Sequence, residues 1–397
     1  MKPIISRRSF LIDSTVALAI VAAGCSDATE TSTTTPATGP DTAPHEETTM
    51  PASLAVNGGR WSMPAEESPH EATWMCWPST EDVWGETLAD VQDTIVRLAT
   101  AIAGFEPVKL LARPDEIEKV RSMFSDTDVE VIEAPVDDLW ARDTLPCFLL
   151  ANDPNDDSPL AAGHVRFNGW GNKQLHDGDA QLAAAIADHL DIPLIDSGLT
   201  GEGGGIEAGG EGTVLASRSS WVNDNRNPGV AEIEIGQRLV DLLGADRIIW
   251  VDGVAGADIT DSHIDTLARF AQPRVVVLDQ PPFEDPGETW YDVSVATKAT
   301  LGDIGEDQGG PYEFTSLVQP TAPRGAGDEF LTSYVNYYVC NGAVIAPSFG
   351  DTAADEAAAN QLRVLYPDRE IVQIDIDPVA AGGGGIHCTT QQQPTLR

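Results

Sequence analysis

Polar clusters recur along this chain at nearly even intervals, and that spacing narrows the fold more than any other feature. Asp137-Asp138-Leu139-Trp140-Ala141-Arg142-Asp143 is followed by Glu202-Gly203-Gly204-Gly205, then His263-Ile264-Asp265, and finally Cys388 behind a run of four glycines at 382–385. Asp143 to Glu202 is 59 residues, Glu202 to His263 is 61, and His263 to Cys388 is 125, about twice that interval. One cluster per ~60-residue unit points to a repeat architecture whose equivalent loops converge on one face. Between the clusters, from Met63 onward, short apolar runs alternate with amphipathic helical patterns, the mark of an alternating α/β chain. The periodicity predicts helices over 88–102, 180–190, 233–243 and 355–365. It predicts strands over 108–111, 247–251, 274–278 and 371–374.

The chain of 397 residues, 42% hydrophobic, is long enough to bury a large core as one domain or two. Its 23 basic and 63 acidic residues give 23 − 63 = −40. Such a surface repels nucleic acid and anionic membranes and attracts cations. The acids are spread along the whole chain, as in proteins adapted to high salt. The N-terminus reads as an address over residues 1–25: a twin arginine at Arg7-Arg8, an apolar run from Leu11 to Ala23 and then Gly24-Cys25. That run is too short to span a bilayer. Its ending is that of a lipoprotein signal, with Cys25 as the acylated residue, so any membrane association is expected through a lipid anchor. Residues 26–58, rich in Thr, Ser, Pro, Asp and Glu, read as a disordered tether ahead of one folded domain over 59–397. The protein is therefore expected to be exported, either anchored on the outer face of the cytoplasmic membrane or in the periplasm.

Cys76, Cys147, Cys340 and Cys388 remain, widely separated and without metal-site spacing. Cys76 and Cys340 fall in strand-like apolar runs and read as buried thiols; export leaves a disulfide among Cys76, Cys147 and Cys340 open. Cys388 differs. Glycines remove side chains and open the backbone to close approach, so a cysteine delivered by such a run is a candidate nucleophile, set against the plainer reading of a small buried hydrophobe. His263 offers a proton shuttle, and Asp143, Glu202 and Asp265 offer carboxylates. Acids around one centre are costly unless a cation sits between them, and a planar guanidinium pairs bidentately with carboxylates. A divalent ion on Asp258, Asp261, His263 and Asp265 is the rival reading, weakened by the lack of a second histidine nearby. Each residue also has a structural reading: Asp143 in a salt-bridged loop with Arg142, Glu202 as a turn acid, His263 as a capping residue. The glycines at 203–205 are not followed by the strand-loop-helix unit of a dinucleotide site, and no cofactor is expected. Residues 153–157 lack the downstream glutamate of a calcium loop and read as a solvated turn.

Taken together, the motifs resemble those of the agmatine deiminases, within the wider guanidino-group-modifying superfamily that includes arginine and peptidylarginine deiminases. The resemblance runs from Met63 to Pro394. It rests on Met63-Pro64-Ala65-Glu66 with Pro69-His70-Glu71 and Trp77-Pro78, on Asp137 to Thr144, and on Phe167-Asn168-Gly169-Trp170-Gly171. It continues through Glu202-Gly203-Gly204, Thr260 to Asp265, Ser333-Tyr334-Val335-Asn336 and Gly382 to Pro394. It implies a five-bladed, pseudo-symmetric α/β propeller of ββαβ units. It also implies Cys388 as nucleophile, His263 as proton donor and acceptor, Asp143 and Asp265 gripping a guanidinium, and Glu202 in support. Trp140, Asn336 and Gly385 are then expected at the substrate. The chain departs from the family pattern at Glu67-Ser68, where Trp-Glu is usual, and at Gly205 and Glu207, where Ser and His are usual; both departures are expected near the far end of the substrate. The implied reaction is cofactor-free hydrolysis of a guanidine through an amidino-cysteine, with agmatine giving N-carbamoylputrescine and ammonia. The alternatives are an exported peptidylarginine or arginine deiminase and, more remotely, a non-catalytic lipoprotein that binds guanidines or polyamines.

Overall fold

Among the described residues, 59–327 and 329–396 of a computed structural model, the strands form five separate small sheets. The proposed signal over 1–25, with Cys25, and the tether over 26–58 lie outside the described residues. Four sheets share one pattern: an antiparallel hairpin, a helix, and a strand returning parallel to the second strand of the hairpin. They are built on Cys147–Ala151, Leu160–His164 and Leu194–Asp196; on Ile206–Ala208, Thr213–Ser217 and Arg247–Val251; on Ala268–Gln272, Val275–Gln280 and Glu313–Val318; and on Tyr338–Cys340, Ala343–Ser348 and Glu370–Asp375. The remaining sheet has the same plan with its hairpin split between the two ends of the domain. Gln391–Pro394 pairs antiparallel with His70–Cys76, which runs parallel to Val108–Ala112, itself parallel to Val129–Glu133. Five ββαβ units make the α/β propeller that the family resemblance implies and with which the spacing agrees, closed by its own C-terminal segment.

The helices form where apolar residues recur on one face. Leu88–Ala103 buries Val91, Ile95, Leu98, Ala99 and Ile102, and Glu232–Leu243 buries Ile235, Leu239, Leu242 and Leu243. The latter stops at Gly244, whose φ of +60° suits a left-handed cap and whose absent Cβ would lie 2.1 Å from the Trp61 carbonyl. The helix Thr289–Gly302 has no expected counterpart, because it buries only Val293, Thr297 and Leu301 while Val295 faces outward. Cys76, Cys147 and Cys340 are buried in different sheets as unlinked thiols, which closes the disulfide question for these residues. Burial raises all three, Cys147 to about 11, so none is primed to react.

One regularity positions the site. In every unit the loop that leads into the first hairpin strand carries a polar group: Asp143 before Cys147, Glu202 before Ile206, Asp265 before Ala268, Asn336 before Tyr338 and Cys388 before Gln391. The double-length gap after His263 thus contains a fifth equivalent position, Asn336.

Candidate active site

Asp143, His263 and Asp265 converge beside the backbone of Gly204. A Cβ there would lie 2.6 Å from Asp143 Oδ1, 2.6 Å from His263 Nδ1 and 3.3 Å from Asp265 Oδ2. Only a residue without a side chain keeps that point open, and the Gly204 N–H donates to Asp143 Oδ1 at 3.0 Å. Cys388 sits in the single turn His387–Thr389, with Sγ 3.5 Å from Asp265 Oδ2. Its N–H donates to Asn336 Oδ1 at 3.3 Å, and Asn336 Nδ2 donates to the Asp265 carbonyl at 3.2 Å. Asn336 therefore ties the nucleophile loop to the Asp265 loop. Gly385 allows this, since a Cβ there would lie 2.4 Å from Asn336 Oδ1.

The imidazole of His263 lies between carboxylates. Nε2 donates to Glu202 Oε2 at 3.2 Å, while Nδ1, with no hydrogen-bond partner among the described residues, faces Asp143 Oδ1 at 3.7 Å. Burial alone would lower its pKa, but the Asp143 carboxylate and the Glu202 hydrogen bond outweigh burial and hold it above the ordinary value. An imidazolium is thereby ready to donate a proton toward the space beside Gly204. Glu202 keeps its charge despite burial because Arg226 Nε contacts both carboxylate oxygens, at 2.8 and 3.0 Å. Arg226 also donates to Asp261 Oδ2 at 2.6 Å, which Lys173 Nζ reaches at 2.7 Å.

The structure thus gathers Cys388, His263, Asp143, Asp265 and Glu202 into one buried cluster. The three residues expected at the substrate, Trp140, Asn336 and Gly385, also have partners within the protein. Trp140 is buried against Trp84, with ring centroids 6.0 Å apart, and its carbonyl accepts the N–H groups of Asp143 and Thr144, so it shapes the Asp143 turn. Both ends of the Asn336 amide are engaged internally, and Gly385 packs against it; these two position the loops. The Glu207 carboxylate takes Arg269 Nε at 3.0 Å and the Phe270 N–H at 2.9 Å. Glu67 faces Glu207 and Glu66, and burial together with their charges pushes it up to about 7. The metal-ligand grouping also dissolves. Asp258 accepts from Thr260 Oγ1 and the Ser262 N–H, and Asp261 is held by Arg226 and Lys173.

Several functional positions were missed by sequence reasoning. Trp170, at φ +55°, donates from Nε1 to Asp143 Oδ2 at 2.9 Å and fixes the other edge of that carboxylate. Behind Asp265 runs a buried chain of charges. His387 Nδ1 lies 2.9 Å from Asp265 Oδ2, and Nε2 lies 2.8 Å from Glu66 Oε2. Glu66 is paired in turn with Arg269 at 2.8 Å and Arg142 at 3.3 Å, and accepts the Val339 N–H at 2.9 Å. Burial would raise Glu66, but Arg269 and His387 hold it well below the usual carboxylate range. Glu207, sharing the same Arg269, is pushed up by burial and by Glu66. Glu66, Trp170 and His387 all lie inside the motifs, but nothing local signals contacts that join residues as far apart as 66 and 387.

A family model described as Porphyromonas-type peptidyl-arginine deiminase matches residues 62–394. The agmatine deiminase of Pseudomonas aeruginosa is 34% identical over 361 residues, covering 84% of this chain and 96% of that protein. The agmatine deiminase of Medicago truncatula is 32% identical over 365 residues, covering 84% and 96%. Among solved structures, the agmatine deiminase of Enterococcus faecalis superposes with a TM-score of 0.79 at 26% identity, covering 87% of this chain and 99% of that one. A Cys→Ser variant of the C. jejuni agmatine deiminase with substrate bound gives 0.74 at 26% identity, covering 85% and 97%.

Proposed function

This chain belongs to the Porphyromonas-type peptidyl-arginine deiminase family, and from that premise we propose that it hydrolyses agmatine to N-carbamoylputrescine and ammonia through a covalent amidino-cysteine. One observation carries the reading: Asp143, His263 and Asp265 converge on the space beside Gly204, with Cys388 against Asp265. Asp143 and Asp265 hold the guanidinium between them as acceptors for its N–H groups. The bound cation favours the thiolate of Cys388, which attacks the guanidinium carbon. His263 gives its proton to the departing nitrogen, and ammonia leaves. The neutral imidazole then takes a proton from water, which adds to the same carbon; the C–S bond breaks and the ureido product leaves. Glu202, locked by Arg226, keeps His263 oriented through both halves.

Agmatine is favoured over arginine by the pairing of nearby arginines. Arg142, Arg226 and Arg269 are each engaged by glutamates, so a substrate α-carboxylate would meet no uncommitted guanidinium among these three. The expected order of kcat/KM is agmatine above a blocked arginyl peptide, and both above free arginine, measured by ureido-group formation. Highest efficiency on the peptide would move the assignment to peptidyl-arginine.

The N-terminal segment supports an exported, lipid-anchored enzyme with an acidic, salt-adapted surface. Cys25→Ala is expected to abolish palmitate labelling and to release the protein from the membrane fraction, whereas persistence of both would remove the lipoprotein reading.

A further inference from the structure

We propose that His387, the residue before the nucleophile, is a positioning residue that fixes the Asp265 carboxylate against the bound cation. The proposal deepens the deiminase reading and rests on it for the role of Asp265. Both ring nitrogens of His387 face carboxylate oxygens, at 2.9 Å for Asp265 and 2.8 Å for Glu66. A carboxylate that holds a guanidinium only accepts, so Nδ1 donates to Asp265 while Nε2 faces the Glu66 carboxylate. The Glu66 side of this bridge cannot swing. Its carboxylate is pinned by Arg269, Arg142 and the Val339 N–H, and Arg142 Nε reaches back to the His387 carbonyl at 3.4 Å. His387 is 1% exposed, so no solvent competes for either bond. The ring is therefore a rigid strut between a fixed anchor and the Asp265 oxygen nearest Cys388. With Oδ2 held by this strut, the carboxylate plane is set before substrate arrives, and its ordering does not draw on binding energy. The strut also gives Oδ2 a donor besides the Cys388 thiol, which lies 3.5 Å from the same oxygen.

The test uses two small alkylating probes of nearly the same shape, so that it does not depend on knowing the substrate. 2-Chloroacetamidine carries a planar cation that Asp265 can grip, and 2-chloroacetamide is neutral; both report as mass added to Cys388. Wild type is expected to react faster with the cationic probe. In His387→Gln the side-chain amide sits near the Nε2 position and loses Asp265, so the cationic rate should fall about tenfold or more, the scale of one charge-assisted hydrogen bond. The neutral rate should stay within about twofold. In His387→Asn the amide takes the Nδ1 position, keeps its bond to Asp265, and should retain most of the cationic preference. The Gln variant decides alone if the Asn variant does not fold, and the Asn variant alone still overturns the proposal if its preference is lost. Unchanged preference in the Gln variant overturns the proposal. So does lost preference in the Asn variant, or an equal fall of both rates, which would mean a displaced thiol. A wild type with no cationic preference overturns the cation-binding reading of the site together with this proposal, and is distinguishable from failure of the strut alone.

Discussion

Cys388→Ser is expected to lower turnover by a factor on the order of 10⁴–10⁶ while leaving the fold intact. The loss comes from the proton inventory of the site. A serine hydroxyl needs a base to become a nucleophile, and His263, held above its ordinary pKa by Asp143 and Glu202, enters the reaction as an acid. A thiol ionises far more readily beside a bound cation, which is why this arrangement suits sulfur and not oxygen. The fold should not notice the change, because Cys388 is 1% exposed, its Sγ reaches Asp265 Oδ2 only at a long 3.5 Å, and serine is smaller. Thermal melts should agree within about 2 °C. Wild type quenched during turnover should carry an amidino group on Cys388 by peptide mass spectrometry. Retention of wild-type turnover by the serine variant would end the covalent mechanism.

Arg269→Met is expected to destabilise the protein by about 3–5 kcal/mol, the cost of stranding buried charge rather than of losing contacts. Arg269 is 0% exposed and faces two glutamates, Glu207 at 3.0 Å and Glu66 at 2.8 Å, while Nη1 donates to the Tyr337 carbonyl at 2.6 Å. Methionine fills much of the volume but supplies no donor. Against a total stability of roughly 5–15 kcal/mol, that loss approaches unfolding. Adding Glu207→Gln should recover part of it by removing one of the two orphaned charges, and the non-additivity is the diagnostic. Denaturant melts of the single and double variants check this; a loss under about 1 kcal/mol in Arg269→Met would show that the buried ion network contributes little.

Much of the architecture was legible because burial and periodicity agree. The helix at Leu88–Ala103 announces itself through Val91, Ile95, Leu98 and Ile102, all buried. The helix at Thr289–Gly302 was hidden because its inner face is three residues wide and one of them is a threonine. The closing strand Gln391–Pro394 has no apolar pattern, yet it is buried: Gln393 accepts from the Trp74 indole at 2.9 Å, and Gln391 donates to the Pro146 carbonyl at 2.7 Å. Its strand character comes from the sheet that receives it. In the site, the groups with intrinsic reactivity were legible: a glycine-delivered thiol, a histidine, acids at even intervals. Their supports were not. Trp170 and Arg226 are ordinary residues until folding aims them at Asp143 and Glu202. The pairing of Glu207 with Arg269 was equally hidden, since only the fold brings a residue 62 positions away against its carboxylate.

The split hairpin has a temporal consequence. Cys388 precedes by three residues the strand that pairs with His70–Cys76, and Thr395 N–H then bonds the Pro69 carbonyl at 2.8 Å. During translation the first blade must wait, with the edge of His70–Cys76 unpaired, until the segment from 391 to 394 has left the ribosome. The nucleophile emerges in that same short stretch. A nascent chain truncated anywhere before it has neither a closed ring nor the Cys388 thiol, so assembly of the scaffold and arming of the site are one event.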